Sequence, residues 1–402
     1  MRVTAATSRE PDTLQAAADA AAEVEQALGG ARVDLAFLFA SAHHAEGLSG
    51  AVARVTERLR PGHLAGATGE SIIGGGLEIE SAPALALWAA SAPGAQVYSA
   101  WVEPQSTPEG LAFSGSPRIP GASADMILLA DPFSFPADEY LERMGADHPD
   151  LRILGGMASG GRKPGECRLI HGGEVHTSGA VATVVSGTLR VRPLVSQGCR
   201  PFGKHLVVTR SEGNAIFELG GAPAIQKLSE EMRSLSAIER SLLGRGLHVG
   251  IAIDARKRKH QRGDFLVRNV VGIMKDSGGI VIADVVRPGT TVQFHLRDAE
   301  TASEDLHALL QEARTGGSRP AGALLFTCNG RGSRMFDIPN HDAGSVAREL
   351  GPLPVAGFFA AGEIGPVGGR NFLHGFTASV AVFRARAEIP SEAGRTAALS
   401  RN

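Results

Sequence analysis

Cysteine is scarce in this sequence: 402 residues hold three, Cys167, Cys199 and Cys328, set far apart. An odd, dispersed set excludes a disulfide framework and any short-spaced zinc motif, and points to a reducing compartment. Charge of one sign is missing as well. Forty Lys and Arg against 42 Asp and Glu leave a formal charge of −2. That gives no electrostatic case for nucleic acid or an anionic membrane as the main partner. No apolar run approaches the roughly 18–20 residues that span a bilayer. The run ALALWAAS, 84–91, is about half that length. The N-terminal MRVTAATSREPDTLQ lacks an apolar signal core. The expectation is a cytoplasmic protein outside the membrane.

Glycine is in excess, with 51 residues against a usual share of about 7%. The glycines cluster between apolar runs, which makes them loop material. Residues 1–8 read as a strand, and Pro11 opens an Ala-rich helix that Gly29-Gly30 ends. VDLAFLFA, 33–40, is a nearly continuous apolar run, as expected for a strand covered on both faces. Leu48, Val52, Val55 and Leu59 make one stripe of a helix over 47–60. A glycine-rich loop and more strand material follow.

The same order recurs twice. ADMILLADP (124–132), a helix at 136–147, LRILGGMASGG (151–161) and HTSGAVATVVSG (176–187) form a second round. AGALLFTCNGRG (321–332), a helix at 342–350, PVAGFFAAGEIGPVGG (354–369) and HGFTASVAVF (374–383) form a third. From strand to glycine loop the offsets are similar, from 35 to 69, 126 to 156 and 324 to 362. The first and third rounds share a Gly-Glu pair, Gly69-Glu70 and Gly362-Glu363. Divergent duplication accounts for this better than chance. Between the rounds, 188–220 read as strands with turns at QGCRPFG and SEGN, 222–244 as one helix, and 247–300 as further strands interrupted by the basic loop ARKRKHQRGD. The fold class is α/β, two mixed-sheet α/β domains with divergent repeats of strand, helix, strand, glycine loop and strand.

These segments resemble the FIST proteins, with N-terminal and C-terminal FIST domains in tandem. The likeness rests on DLAFLFAS, the glycine loop at 66–76, LRILGGMASGG, SGAVATVVSG, QGCRPFG, FLVRNVVGI, VQFHLRDAE, FTCNGRGS and PVAGFFAAGEIGPVG, spread over nearly the whole chain. The basic run at 256–262 has no place in that pattern. The expected division is an N-terminal strand and helix (1–30) packing on a first domain at 31–218, a second domain at 219–385 and a flexible tail at 386–402. The resemblance implies an intracellular sensory module that binds a small ligand, with amino acids or their derivatives proposed for the family. Some bacterial members are haem-linked nitric oxide sensors. The two domains leave no room for an output domain, so the signal is expected to pass through a partner protein or oligomer state.

Candidate residues gather in two loops. Arg331 between Gly330 and Gly332 can offer a planar fork and backbone N–H groups to an anion, with Asn329 adding an amide. The alternative is a structural turn whose Arg331 pairs with an acidic neighbour. Glu363, after Gly362, can hold a ligand amine while Arg331 holds its carboxylate; otherwise it caps a turn. Cys328 is a ligand contact, a redox-sensing thiol, a nucleophile or a small apolar residue, and a nucleophile needs a base that the sequence does not identify. His374 and His176 precede corresponding strands, which suggests a shared structural hydrogen bond or paired ligand contacts. His43 and His44 are candidate ligands for haem iron or another metal, although neighbouring side chains on a strand diverge. No cofactor is expected, with haem the alternative. CRPFG reads as a tight turn, Arg200 as an ion-pair partner, and RKRKH as a solvated loop.

Overall fold

The protein is described here by a computed structural model. The described residues are 1–385 without 109, 122–123, 255–256, 258–259, 261–262 and 316–317. The expected tail at 386–402 and most of the basic run lie outside them.

The chain is three repeats of one topology. The first comprises β1 (Arg2–Ser8), α1 (Thr13–Leu28), β2 (Leu35–Ser41), α2 (Leu48–Leu59), β3 (Leu64–Gly69), a hairpin of β4 (Ile72–Gly74) and β5 (Leu77–Ile79), and β6 (Leu85–Ser91). The second comprises β7 (Ala95–Thr107), β8 (Gly110–Ser114), β9 (Asp125–Ala130), α3 (Ala137–Asp147), β10 (Arg152–Met157), a hairpin of β11 (Leu169–His171) and β12 (Glu174–His176), and β13 (Ala180–Gly187). The third opens with β14 (Leu189–Gln197). An inserted unit follows: β15 (Cys199–Glu212), β16 (Ala215–Leu219), β17 (Ala222–Pro223), α4 (Ala224–Met232), α5 (Ala237–Leu242), β18 (Leu247–Ala252), β19 (Phe265–Met274), β20 (Gly279–Ile282) and β21 (Thr291–Arg297). The third repeat then resumes with α6 (Ala299–Thr315), β22 (Pro320–Cys328), α7 (His341–Leu350), β23 (Val355–Ala360), a hairpin of β24 (Glu363–Val367) and β25 (Arg370–His374), and β26 (Thr377–Ala385).

In each repeat the strand before the helix lies parallel to the strand after it, as a helical crossover allows. The returning strand, β6, β13 or β26, runs antiparallel on the other side. The hairpins are exchanged. β4–β5 extends the third repeat's sheet at β23, β24–β25 extends the second's at β10, and β11–β12 extends the first's at β3. The exchange closes a ring. Segments on both sides of residue 218 therefore share sheets, since β4, β5 and β14 lie beside β22, β23 and β26.

The exchange dictates a glycine in each repeat. Gly66, Gly155 and Gly357 stand opposite Leu38, Leu128 and Leu325 in the parallel pairs. A Cβ at these glycines would lie 2.0, 1.9 and 1.8 Å from the carbonyl oxygens of those leucines. Across the incoming hairpin the same glycines face Ile170, Ile364 and Ile73. This register corrects one likeness. Gly69 pairs with Ser41, whereas Ala360 pairs with Cys328, so Gly362 lies two residues beyond Gly69's counterpart. The two Gly-Glu pairs are not equivalent. The structural counterparts of Glu363 are Ile72 and Leu169, the first residues of the other hairpins.

The inner faces of the three sheets meet in one core. Phe37, Phe39 and Trp88 pack with Leu129, Leu154 and Val181 and with Phe326, Phe358 and Phe383. Trp88 and Phe383 approach to 4.7 Å between ring centroids, and Phe39 and Phe358 to 5.3 Å. The outer faces are covered by α1 and α2, by α3, and by α6 and α7. Both faces are thus apolar, which explains the unbroken runs in the sequence.

In the inserted unit the antiparallel pairings β15–β21–β18–β19–β20–β16–β15 close into a barrel. One face packs Phe202, Val249, Phe294 and Leu296 against Leu228 of α4. The other carries His248, His295 and Arg297, which share a side because they are direct or alternate partners. Two expectations are corrected here. Residues 222–244 are not one helix. Ser236 Oγ accepts from Glu239 N–H at 3.2 Å and Glu239 Oε2 from Ser236 N–H at 2.8 Å, and this capping box starts a second helix. CRPFG is not a tight turn but the start of β15, with a register irregularity between Phe202 and Leu206.

Gly357→Ala should destabilise the protein by about 3 kcal/mol, because backbone blocks the added methyl; chemical denaturation measures it. A fragment ending at 218 lacks β23 and β26, the partners of its hairpin β4–β5 and of β14. It should show no cooperative thermal transition, which circular dichroism checks, and should gain one on mixing with the complementary fragment.

Candidate functional site

The loop Asn329–Arg334 leaves β22 at its C-terminal end, between the third repeat and the barrel. Arg331 is fully buried. Its Nε donates to Asp342 Oδ2 at 2.7 Å and its Nη2 to Asp342 Oδ1 at 2.8 Å. Thr327 Oγ1 and His341 Nδ1 also contact this carboxylate, at 2.5 and 2.8 Å. The fork is therefore spent on Asp342, the first-turn residue of α7. Burial works against ionising Asp342, but Arg331 and the hydrogen bonds hold its carboxyl well below the usual range. Only Nη1 of Arg331 is left without a hydrogen-bond partner among the described residues.

Glu78, from the first repeat's hairpin, caps α7. Its Oε1 accepts from the N–H groups of Asp342 and Ala343 at 2.7 and 2.8 Å. Burial and the neighbouring Asp342 charge push it up to about 7. The backbone donors of the glycine loop are also taken. Gly330 N–H points to Cys328 Sγ at 3.4 Å, Arg331 N–H to Cys328 O at 2.8 Å and Ser333 N–H to Glu80 Oε1 at 2.9 Å. An anion cradle made of these groups is closed in this arrangement. Gly332 is buried where the loop enters a short 3-10 turn.

Glu363 begins β24 with no exposure. Its Oε2 accepts from Thr377 N–H at 3.0 Å and from Thr377 Oγ1 at 2.8 Å, while Oε1 has no hydrogen-bond partner among the described residues. Gly362, just before it, accepts at its carbonyl from Met157 N–H at 2.8 Å. Burial pushes the Glu363 carboxyl up to about 8, against the opposing pull of Thr377 and Arg331. At this position the other repeats bury Ile72 and Leu169, so a carboxylic acid replaces a core hydrophobe in one copy of three.

Cys328 lies beside that carboxyl. Burial, and then Glu363, pushes its thiol up to about 12. It stays protonated at neutral pH, and the neighbouring acid is the wrong group to activate it. In the other repeats this strand end carries Ser41 and Asp131. His374 is buried and bonds the carbonyl of Gly365 at 2.9 Å. His176 instead stacks on Trp101 at 3.9 Å, so no hydrogen bond is shared between the two. His43 and His44 sit on a 3-10 turn, with His43 Nδ1 3.3 Å from Ser41 Oγ and His44 Nδ1 2.9 Å from Thr13 Oγ1. Among the described residues no group of three His, Cys, Asp or Glu is placed to hold a metal ion.

The barrel adds Arg297 and a residue that sequence reasoning missed, His248. His248 meets the Phe376 ring edge-on at 4.7 Å, and the Arg297 guanidinium lies 5.0 Å from the centre of the same ring. Phe376 has φ 63°, a strained value for a bulky residue, and directly precedes the Thr377 that binds Glu363. Burial lowers His248 to about 4, so it is neutral, and its Nδ1 has no hydrogen-bond partner among the described residues. Asn329 Oδ1 is in the same condition. Arg200, foreseen as an ion-pair partner, meets Asp298 at 2.7 Å. Only Asp342 carried a sequence signal, as an acid opening the short helix after the loop.

Residues 34–222 match the FIST N domain and residues 224–366 the FIST C domain. An uncharacterized protein of Mycobacterium bovis, Mb0898c, is 42% identical over 386 residues, covering 95% of this chain and 99% of its own. The uncharacterized protein Rv0628c of Mycobacterium tuberculosis is 41% identical over 385 residues, covering 95% of this chain and 100% of its own. A more distant likeness, 26% over 160 residues, reaches the uncharacterized protein MJ1623 of Methanocaldococcus jannaschii, covering 40% of this chain and 29% of that one. With both halves matched in order, the chain belongs to the FIST family.

Proposed function

We propose that this protein senses a small ligand bearing a carboxylate and an amine, an amino acid or a close derivative, held between the third repeat and the barrel. FIST domains are sensory domains of signal transduction. The observation that carries the reading is a set of buried polar atoms without hydrogen-bond partners among the described residues: Arg331 Nη1, Glu363 Oε1, Asn329 Oδ1 and His248 Nδ1. Buried polar groups are normally satisfied, so such a set calls for an occupant. The ligand carboxylate accepts from Arg331 Nη1, and its ammonium donates to Glu363 Oε1 and Asn329 Oδ1. Ordering of the 328–333 and 357–369 loops then alters a surface that a partner protein reads. Membership of the family does not name the ligand; the donors and acceptors support an amino acid.

A thermal-shift screen with the common amino acids at neutral pH should find at least one that stabilises the protein. The shift should shrink in Glu363→Gln and Asn329→Ala and persist in Cys328→Ser. If no amino acid stabilises the protein, the reading fails. Arg331→Ala is unsuitable as a probe. It strands Asp342 in the interior and should cost about 3–5 kcal/mol in urea unfolding.

Glu363 also sets a pH dependence. Its folded value of about 8 lies above the ordinary carboxyl range, so between those limits the folded protein binds more protons than the unfolded chain. The stability that Glu363 contributes therefore falls as pH rises through that window, against an opposing rise from the buried histidines His248, His295 and His374. Glu363→Gln should lose that contribution, leaving the smaller decline from Glu78 and the rise from the histidines; melting temperatures of both proteins from pH 5 to 8 test it. Ligand binding should release protons near pH 7, measurable by calorimetry in buffers of different ionisation enthalpy.

A further inference from the structure

Beside Gly198, where β14 passes into β15, lies a separate cavity of about 170 Å³. Its lining includes Gln197, Cys199, His205, Phe265, Gln293 and His295. Its walls are flat rings. His205 and His260 meet edge-on at 5.3 Å, and both lie beside Phe265, at 5.6 and 5.3 Å. His295 meets the same phenyl ring at 5.6 Å. The His295 ring is pressed onto Gly250, where an added Cβ would come within 2.4 Å of it. The wall is thus built to hold that imidazole in one place.

The hydrogen-bonding character follows from the tautomers. His295 Nδ1 lies 3.0 Å from the carbonyl of Gln293, so it carries the proton and Nε2 keeps its lone pair. His260 Nε2 lies 3.2 Å from the carbonyl of Asp254, which leaves Nδ1 as its acceptor. Gln197 Nε2 donates to Phe265 O at 2.9 Å and Gln293 Nε2 to Gly203 O at 3.0 Å. Each amide keeps its oxygen as an acceptor. Burial holds His295 down at about 4, so it does not become a cation at neutral pH. No Asp or Glu is among the described lining residues to balance a cationic guest. Among the described lining residues an anion would meet mostly acceptors, and a hydrocarbon would strip them of water without replacement.

We infer that this cavity binds a small, uncharged, planar nitrogen heterocycle that offers N–H donors, of the aminopyrimidine or aminopurine type. The rings stack on its faces while the imidazole and amide acceptors take its edge. The inference stands apart from the reading of the Arg331 and Glu363 cluster, whose ligand is charged at both ends.

The test uses the full chain and four probes: cytosine, adenine, tetramethylammonium and benzoate, followed by ligand-observed NMR and calorimetry. Saturable binding of cytosine or adenine is expected, with the other two silent. His205 is exposed, so His205→Ala leaves the core intact. It should weaken binding about tenfold, the effect of losing one stacking partner. His295→Leu should do the same or more, and Glu363→Gln should leave binding unchanged. The proposal is overturned if neither base binds, if either charged probe binds in their place, or if binding survives both histidine substitutions. Loss of amino-acid binding in Glu363→Gln, with base binding intact, separates the two sites.

Discussion

Everything in this molecule depends on three close backbone contacts, where a glycine of one strand lies against the carbonyl of a leucine in its parallel neighbour. No side chain fits there. The same glycine faces an isoleucine on a hairpin donated by another repeat. Each repeat thus completes its neighbour's sheet, and the three sheets enclose one aromatic and aliphatic core. Removing any one repeat opens an edge on a second and empties part of the core shared by all.

Against that threefold background, asymmetry marks where chemistry has been added. Two hairpins begin with buried isoleucine or leucine, the third with buried Glu363. Two first strands end in Ser41 and Asp131, the third in Cys328. One repeat alone is interrupted by a barrel, and that barrel turns His248 and Arg297 toward the altered strand end. A core with three supports can carry a carboxylic acid at one of them, provided Thr377 satisfies one oxygen. Arg331 has a structural part besides the one its flanking glycines suggested. Two of its nitrogens anchor α7 through Asp342, and Glu78 of the first repeat caps the same helix. The site is thereby held from both ends of the chain.

The three rounds could be read from the sequence because strands covered on both faces are continuous apolar runs, and that signal survives divergence. The hairpin exchange could not. A hairpin that joins its own sheet and one that joins its neighbour's have the same alternation of side chains. The Gly-Glu pairs misled for a local reason: the glycine loops differ in length, so identical dipeptides fell two residues out of register. Arg331 and Glu363 stood out as charges among glycines. His248 did not, since a histidine on an apolar strand carries no mark of what packs above it. The break before α5 was visible as Ser236 followed three residues later by Glu239.

Gly198 is the single residue that links the third repeat to the barrel at its entry, between β14 and β15. Its N–H donates to Phe376 O at 3.1 Å and its carbonyl accepts from Asp298 N–H at 3.2 Å, so one peptide is clamped to the third repeat and the next to the barrel's exit. The link has no slack, and the barrel is also held at Arg268, whose Nη1 donates to Leu373 O at 2.7 Å. A tilt of the barrel would bear directly on the Phe376 peptide, whose backbone is already strained. Mechanically, the connection resembles a trigger more than a tether.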